Sequence, residues 1–489
     1  MNTSTAGIVV SDTGVKYVMQ QSGTRFACYI SHSRLMRDRE GIDRAMRKIG
    51  SHWMTTMRRA LSFSKQRNVT IGAKKCENTG RKSFRDVIDR RNTQSLKWGR
   101  YGDDTIPMWV ADMDFPAADP IVDVVVKRAQ SGIYGYARPS ERLKELTRER
   151  MIDMYGANPN SASENWIHWL PGLVPGIRGA VRATVRRGES VLTLTPAYPP
   201  FLFCPHISGR KLKSVDLSMT KKKGENGIME YSLDLEAIET SLSDSSVRMF
   251  LLCSPHNPTG RVWTIDELRE MAILCVKHDV VICSDEVWGD MCLEPDGAPF
   301  VSLLGLCDEI AGLAERLIVV TSPSKMFNVA GLDMAYAVVP DERLRHRYVR
   351  ASRDKAETTH FGYDACEVAY GDDDAEAWRQ DVLSYLRENR DYATKYVASE
   401  IPLATCTVPE ASYLLWIDAR AFLARDIESS SPAAWIESNF KVALSEGSDF
   451  GGHGFVRLNY GCHRSTLEEG LRRLRDAFRA IDPAGNRGE

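Results

Sequence analysis

Four short apolar runs in the middle of the chain have the length and composition of buried strands. They are residues 191–194, 249–252, 280–282 and 317–320. Thr193 is the one polar residue within these four runs, and the chain beyond each run is rich in the Ser, Pro, Asn and Asp residues of turns. Between the second and third runs, Thr264 and Glu267 form a capping box ahead of an apolar helical face. This order of strand, helix and strand predicts an α/β fold whose mainly parallel central sheet is covered by helices on both faces.

The chain after residue 345 has a mixed α and β pattern. A long amphipathic stretch covers residues 378–397, strands are predicted near 413–418 and 451–459, and a capped final helix is predicted from Ser465. Before the sheet, a short helix from Ser83 and an extended segment at 106–116 are expected to lead into a helix at Asp119. We therefore predict a basic extension at residues 1–82, a small α+β domain from 83–130 and 346–489, and a large α/β domain at 131–345.

Polar side chains follow each of the four apolar runs at or just beyond its carboxyl end. Tyr198, Asn257, Asp285 and Lys325 occupy these places, and the carboxyl ends of parallel strands are where open α/β sheets bind ligands. We expect the four to meet in one cleft. A buried lysine loses its proton more readily, and one use of such an amine is as a Schiff-base nucleophile toward an aldehyde. An ordinary loop lysine remains the alternative.

An aldehyde cofactor that carries a pyridine ring and a phosphate would suit this set of side chains. Asp285 could hold the pyridine nitrogen protonated, Asn257 could donate to the phenolic oxygen, and Tyr198 could stack on the ring. Candidates for the phosphate are Ser322, Ser324, the hydroxyl of Tyr136, and the backbone of Gly172, Leu173 and Val174 ahead of a helix. A purely structural turn at Gly172 is the alternative, and this signal taken alone favours it. An amino-acid substrate needs a planar fork for its carboxylate, and Arg457 could supply it.

Charge and composition narrow the class of protein. The net charge of the 489 residues is −1, but residues 1–82 hold 16 Lys+Arg against 5 Asp+Glu, a net charge of +11 that leaves −12 on the remainder. An acidic body argues against nucleic-acid binding. The basic extension is interpreted as loosely structured, with a transit peptide or a true start near Met57 as alternatives. We expect a cytoplasmic protein, with targeting to an organelle as the alternative.

Cysteine and histidine usage argues against a disulfide framework or a metal site. The eleven cysteines include no CxxC pair, and the ten histidines show no HxxxH spacing. No metal is therefore expected as a partner. No stretch approaches the roughly 18 apolar residues of a membrane span, so no membrane is expected as a partner either.

Seven motifs together resemble a known family. They are WVADMDF at 109–115, YGY at 134–136, TPAY at 195–198, LLCSPHNPTGRVW at 251–263, SDEVWGDM at 284–291, TSPSKMFN at 321–328 and GFVRLNYGCHRS at 454–465. In this order they resemble the fold-type I pyridoxal-phosphate enzymes of the class I/II aminotransferase superfamily, in the branch of MalY/PatB-like cystathionine β-lyases. The resemblance implies pyridoxal 5′-phosphate bound through Lys325, and a homodimer in which Tyr136 reaches the phosphate of the neighbouring subunit. It also implies that Arg457, Asn257, Ala111 and Asp112 lie at an amino-acid substrate.

Three departures from the family pattern put the exact substrate in question. Trp288 stands where the branch usually has His and aminotransferases have Tyr, and its indole can donate but cannot relay a proton. Asp333 stands where many members have a phosphate-binding Arg, and residues 358–363 differ from the small segment expected there. We expect a carbon–sulfur β-lyase that cleaves an S-substituted cysteine. The alternatives are an aminotransferase or other chemistry at Cα, and a regulatory protein that retains the site as a relic.

Overall fold

The computed structural model describes residues 18–22 and 25–29, and then residues 83–222, 226–294, 300–353, 356–425 and 431–482. The chain divides into two compact units, Met1–Gly80 and Arg81–Glu489. In the first unit, strands β1 (Val18–Ser22) and β2 (Arg25–Tyr29) pair in an antiparallel hairpin. The other residues of the predicted N-terminal extension lie outside the described residues, and its loose structure stays a prediction.

The second unit contains the remaining elements. Its strands are β3 (Ile106–Pro107), β4 (Ile167–Leu170), β5 (Ser190–Thr195), β6 (Lys211–Asp216), β7 (Ser218–Lys221), β8 (Met229–Ser232), β9 (Val247–Cys253), β10 (Val281–Asp285), β11 (Leu317–Thr321), β12 (Ala335–Val338), β13 (Thr405–Cys406), β14 (Leu414–Asp418), β15 (Val442–Ala443), β16 (Ser445–Glu446) and β17 (Phe455–Asn459). Its helices are α1 (Asp119–Gln130), α2 (Glu141–Asp153), α3 (Leu173–Thr184), α4 (Pro199–Ile207), α5 (Leu235–Leu242), α6 (Ile265–Lys277), α7 (Glu342–Ala351), α8 (His360–Gly371), α9 (Asp373–Glu400), α10 (Pro432–Phe440) and α11 (Arg464–Ala480). None of the described helices is long and apolar enough to cross a lipid bilayer.

A seven-stranded sheet with the order β4-β12-β11-β10-β9-β5-β6 forms the centre of this unit. Strands β11, β10, β9, β5 and β6 pair in parallel, and β12 runs antiparallel to both of its neighbours. Every residue of β5 and β11 is buried, because helices cover both faces. The predicted mainly parallel α/β sheet is confirmed.

A second, smaller sheet has the order β13-β14-β17-β16 and is antiparallel throughout. Beside it, β3 pairs in parallel with β15, so the segment near residue 106 lies against the chain near residue 442. These contacts join the two stretches assigned to one small domain, although its exact limits stay a prediction.

Short sequence patterns located most elements. They also predicted a helix at Ser83 that does not form, and they placed the starts of two other helices too late in the chain. The capping box of Thr264 and Glu267 begins α6 as expected. No helix forms at Ser83, whose amide donates to the Asp86 carboxylate at 2.7 Å, since such polar side chains compete with helical hydrogen bonds. The final helix begins at Arg464, because His463 rather than Ser465 is its N-cap. Leu173 and Val174 were expected ahead of a helix, but α3 begins at Leu173 and includes both of them.

Candidate active site

Four of the predicted site residues are carried by the strand ends of the central sheet. Asp285 is the last residue of β10, Lys325 lies four residues beyond β11, and Asn257 lies four residues beyond β9. Tyr198 precedes α4, three residues beyond β5. Since these strands are parallel and adjacent, their carboxyl ends share one edge of the sheet.

The amine of Lys325 lies inside this edge. Its Nζ donates to the carbonyl oxygen of Ala111 at 3.0 Å and lies 5.8 Å from the ring centre of Trp288. Burial lowers the pKa of the amine to about 8, and the nearby guanidinium of Arg457 acts in the same direction. The carboxylates of Asp112 and Asp285 oppose this shift. A substantial fraction of the amine is therefore neutral near physiological pH.

Asp285 is almost fully buried, and among the described residues its carboxylate accepts one hydrogen bond, from the backbone amide of Val287 at 3.2 Å. Burial raises the pKa of its carboxyl group to about 7, and the Val287 amide and the Lys325 amine partly offset the shift. A buried carboxylate with so few donors is suited to a cationic partner. The ring nitrogen of a protonated pyridine is such a partner.

Arg457 reaches the same edge from β17 of the small sheet. Its Nη1 donates to Asn257 Oδ1 at 3.0 Å, and its Nη2 donates to the carbonyl oxygen of Trp109 at 3.1 Å and to Ser445 Oγ at 3.3 Å. Nε is buried and makes no hydrogen bond to the described residues. Burial lowers the pKa of the guanidinium to about 10, so it remains charged at neutral pH. This buried cation fits a carboxylate ligand.

Aromatic side chains form further walls. Burial raises the pKa of Tyr198 to about 12, and the Asp285 carboxylate adds to the shift. Trp288 is buried, and its indole packs edge to face against Tyr413 at 5.1 Å. Burial, and then the charge of Asp112, raises the pKa of the Tyr413 hydroxyl well above its usual value. These phenols therefore stay neutral in the physiological range.

The predicted phosphate cradle has two parts of different character. Gly172 caps α3, so the backbone amides of Leu173 and Val174 stand in the first turn, where the helix provides them with no acceptor. Ser322 Oγ donates to Met334 O at 2.6 Å and accepts from the amide of Ser324. The hydroxyl of Ser322 is thus engaged within the chain, which leaves Ser324 as the serine whose hydroxyl is available.

Some expected site residues lie away from the cleft in this chain. Tyr136 is 97% exposed. Asp112, by contrast, lies at the cleft: its carboxylate pairs with Arg90 at 2.8 Å and opposes the fall in the pKa of Lys325, and its backbone belongs to the segment 109–112 beside that amine. Asp333 is exposed, with a φ of 54°, so it does not face a buried phosphate site.

Sequence reasoning missed several residues that touch the site. Ala111 is a predicted site residue, but the hydrogen bond that its carbonyl oxygen accepts from the Lys325 amine was not predicted. Asn459 donates from its amide to the carbonyl oxygens of Val110 and Asp112. Both stand within motifs noted above, yet no local pattern distinguishes an asparagine that binds backbone from one that binds a ligand. Tyr413 follows no spacing rule at all.

Comparison with known proteins agrees with this geometry. The model of the family "Aminotransferase class I and II" matches residues 106–474. Cystathionine beta-lyase PatB of Bacillus subtilis strain 168 is 34% identical, over 80% of this chain and 98% of that protein. Protein MalY of Escherichia coli K12 is 30% identical, over 81% of this chain and 99% of that protein.

A solved structure is similar over the same part of the chain. Cystalysin from Treponema denticola, which contains a pyridoxal 5′-phosphate cofactor, superimposes with a TM-score of 0.73 and 28% identity, over 82% of this chain and 99% of cystalysin. The resemblance drawn from the seven motifs is thus confirmed, and so is the fold-type I architecture. The chain belongs to the aminotransferase class I and II family, in the branch that contains PatB and MalY.

Proposed function

We propose that this enzyme is a pyridoxal-phosphate-dependent carbon–sulfur β-lyase that converts an S-substituted cysteine to a thiol, pyruvate and ammonia. One observation carries the proposal: the Lys325 amine lies in a cleft that also holds Asp285 and Arg457. The name of PatB, and the cofactor in cystalysin, support the same function.

The chain's residues fit the cofactor. Asp285 would pair with the ring nitrogen, Asn257 would donate to the ring oxygen, Tyr198 would stack on the ring, and the α3 amides would hold the phosphate. Lys325 would be its covalent anchor. When bound, the pyridine ring supplies an electron sink that stabilises negative charge at Cα of an amino acid.

Arg457 and Asn257 orient the substrate. The guanidinium is positioned to bind the α-carboxylate as a planar fork, and Asn257 Oδ1 holds Nη1 at 3.0 Å. A fixed carboxylate decides which bond at Cα lies perpendicular to the ring, and therefore which bond is broken. Binding at Arg457 requires the substrate to compete with the Trp109 carbonyl oxygen for Nη2.

Lys325 moves the proton. In its neutral form the amine takes the proton from Cα of the substrate onto Nζ. The electron pair of that C–H bond then expels the sulfur substituent from Cβ as a thiolate, which is protonated to the thiol. Water releases ammonia from the remaining three-carbon fragment and leaves pyruvate. Trp288 stands near Nζ, but its indole N–H only donates, so Trp288 cannot take the proton from Cα and this role falls to Lys325.

We further propose that the protein is a homodimer. Three apolar or aromatic residues, Ile133, Tyr134 and Tyr136, are exposed together on the segment between α1 and α2. An exposed apolar cluster of this kind favours a protein partner, and a second copy of the chain is the partner we propose.

The function is tested by incubating the purified protein, loaded with pyridoxal phosphate, with a panel of S-substituted cysteines and no keto acid. Equal amounts of thiol, pyruvate and ammonia are expected over many turnovers. Product that forms only when a keto acid is added would instead indicate an aminotransferase. A protein that binds the cofactor but turns over no amino acid of the panel would indicate a regulatory relic.

A further inference from the structure

The backbone strap of residues 109–112 presents its carbonyl oxygens in two directions. The oxygens of Trp109 and Ala111 face the site, where they accept from Arg457 at 3.1 Å and from Lys325 at 3.0 Å. The oxygens of Val110 and Asp112 face away from these two cations and accept from Asn459. Both cationic groups of the site are therefore held by alternate carbonyls of one short segment.

One side chain, Asn459, bridges the carbonyls of Val110 and Asp112, and the Asp112 carbonyl oxygen also accepts from Lys97 Nζ at 2.9 Å. The Nδ2 atom of Asn459 donates to Val110 O at 2.6 Å and to Asp112 O at 2.9 Å. The backbone amide of Gly461 donates to its Oδ1 at 2.7 Å. An amide N–H can only donate, so this contact identifies the oxygen of the Asn459 side chain and directs its nitrogen at the strap. The residue is fully buried.

This clamp fixes the peptide that faces Lys325. Asn459 holds the carbonyl on either side of Ala111, and the amide of Asp112 donates to Val110 O at 2.9 Å in a tight turn. With both flanking peptides held, the Ala111 carbonyl has little freedom to rotate away from Nζ. Since one N–H of Lys325 is engaged there, the orientation of the amine is fixed.

We propose that Asn459 is a positioning residue for the reaction, which acts through the strap to orient the amine of Lys325 and the guanidinium of Arg457. The inference rests on the proposed function in taking Lys325 as the group that moves the proton. Asn459 itself touches neither substrate nor cofactor in this account.

The test compares Asn459→Leu with a matched control, Asn389→Leu. Asn389 is also fully buried, its Nδ2 donates to the carbonyl oxygens of Tyr460 and Cys462, and its Oδ1 accepts from Arg464. Both substitutions thus remove an amide that bridges two carbonyls, but only Asn459 bridges the strap. Asn459→Ser retains one hydroxyl donor, and provides a second variant if the leucine variant does not fold.

The first readout needs no catalysis. Acetylation of Lys325 in the cofactor-free protein at pH 7 is followed by mass spectrometry of its peptide. The Ala111 carbonyl favours the charged amine, so its displacement lowers the pKa of Lys325 and raises the neutral fraction. We expect the rate to rise about 3-fold or more in Asn459→Leu, by less in Asn459→Ser, and to stay unchanged in Asn389→Leu.

The second readout separates positioning from loss of folded protein. We expect kcat/KM of Asn459→Leu to fall about 100-fold, with a lower kcat and a higher KM, because both Lys325 and Arg457 are displaced. A loss of folded protein alone lowers kcat and leaves KM unchanged. If Lys325 is acetylated at the wild-type rate in both Asn459 variants, the proposal is wrong, whether or not the enzyme proves to be a lyase. If the wild type has no lyase activity but the acetylation rates differ as expected, the proposed function fails and the clamp stands.

Discussion

Burial shifts the pKa values of Lys325 and Asp285 in opposite directions. Burial lowers the pKa of the amine to about 8 and raises that of the carboxyl group to about 7. Without a cofactor, the cleft therefore holds a weakened base and a weakened acid. A cationic ring beside Asp285 would restore the charged carboxylate, so the unfavourable state of this residue is itself part of cofactor recognition.

At the residue scale, Asp285→Asn is expected to stabilise the cofactor-free protein. The folded pKa of Asp285 lies above the unfolded value of about 3.9, so the folded wild type binds more protons and loses stability as the pH rises toward 7. The gain in the free energy of unfolding of the variant should be small below pH 4, grow to about 4 kcal/mol near pH 7, and stay level above it. Urea unfolding between pH 4 and 8 measures it.

Asp279→Asn is the matched control for this series. Asp279 forms ion pairs with Arg248 and Arg316 that hold the pKa of its carboxyl group below its usual value. The substitution Asp279→Asn should therefore not raise the free energy of unfolding at neutral pH. A gain for Asp285→Asn that does not depend on pH would contradict the assignment of a raised pKa. The same variant should bind pyridoxal phosphate more weakly than the wild type, because the partner of the ring nitrogen is lost.

Helix α3 shows how an element far from the chemistry fixes part of the site. Its N-terminus carries the amides expected at the phosphate, and its glycines allow close packing on α7. A Cβ at Gly179 would lie 2.3 Å from Ser352 Oγ, and one at Gly176 would lie 3.2 Å from the Tyr348 hydroxyl. The position of the phosphate amides thus depends on the absence of two side chains.

The prediction at this scale is that Gly176→Ala displaces the helix and weakens cofactor binding, because its Cβ would lie 2.7 Å from Cδ1 of the buried Leu170 and 3.2 Å from the Tyr348 hydroxyl. Overpacking should cost about 1–3 kcal/mol of stability and raise the dissociation constant for pyridoxal phosphate about 10-fold. Spectral titration and thermal unfolding measure the two effects. Gly331→Ala is the control, since a Cβ there meets nothing within 4 Å. Equal cofactor affinity in the two variants would show that α3 does not position the phosphate.

The elements that sequence reasoning located were those whose pattern is local. Short apolar runs identified β5, β9, β10 and β11, and the capping box identified the start of α6. The carboxyl ends of parallel strands meet at one edge of a sheet, and this rule predicted that Lys325 and Asp285 lie in the same cleft. The clamp of Asn459 on the strap joins residues nearly 350 positions apart in the chain. No periodicity encodes such a contact, because it exists only once the small sheet has formed beside the central one.

The whole second unit is needed to assemble the site. Lys325 and Asp285 come from the central sheet, Arg457 and Asn459 come from the small sheet, and the strap joins them. We proposed above that a second copy of the chain packs on the exposed cluster of Ile133, Tyr134 and Tyr136.

Accordingly, Ile133→Asp should convert a dimer to a monomer at micromolar concentration, because a buried charge at an interface raises the dissociation constant about 100-fold or more. Sedimentation velocity of wild type and variant measures the change. Ile273→Asp on the exposed side of α6 provides a control that should stay dimeric. A wild type that sediments as a monomer would contradict the proposed dimer.

The most direct test of the central claim is to locate the lysine that binds the cofactor. The protein is loaded with pyridoxal phosphate, reduced with borohydride, digested and analysed by mass spectrometry. The account predicts one phosphopyridoxyl group, on the peptide that contains Lys325, and none on this peptide in Lys325→Ala. A modified lysine elsewhere in the chain, or an unmodified Lys325 in protein that is saturated with the cofactor, would contradict it.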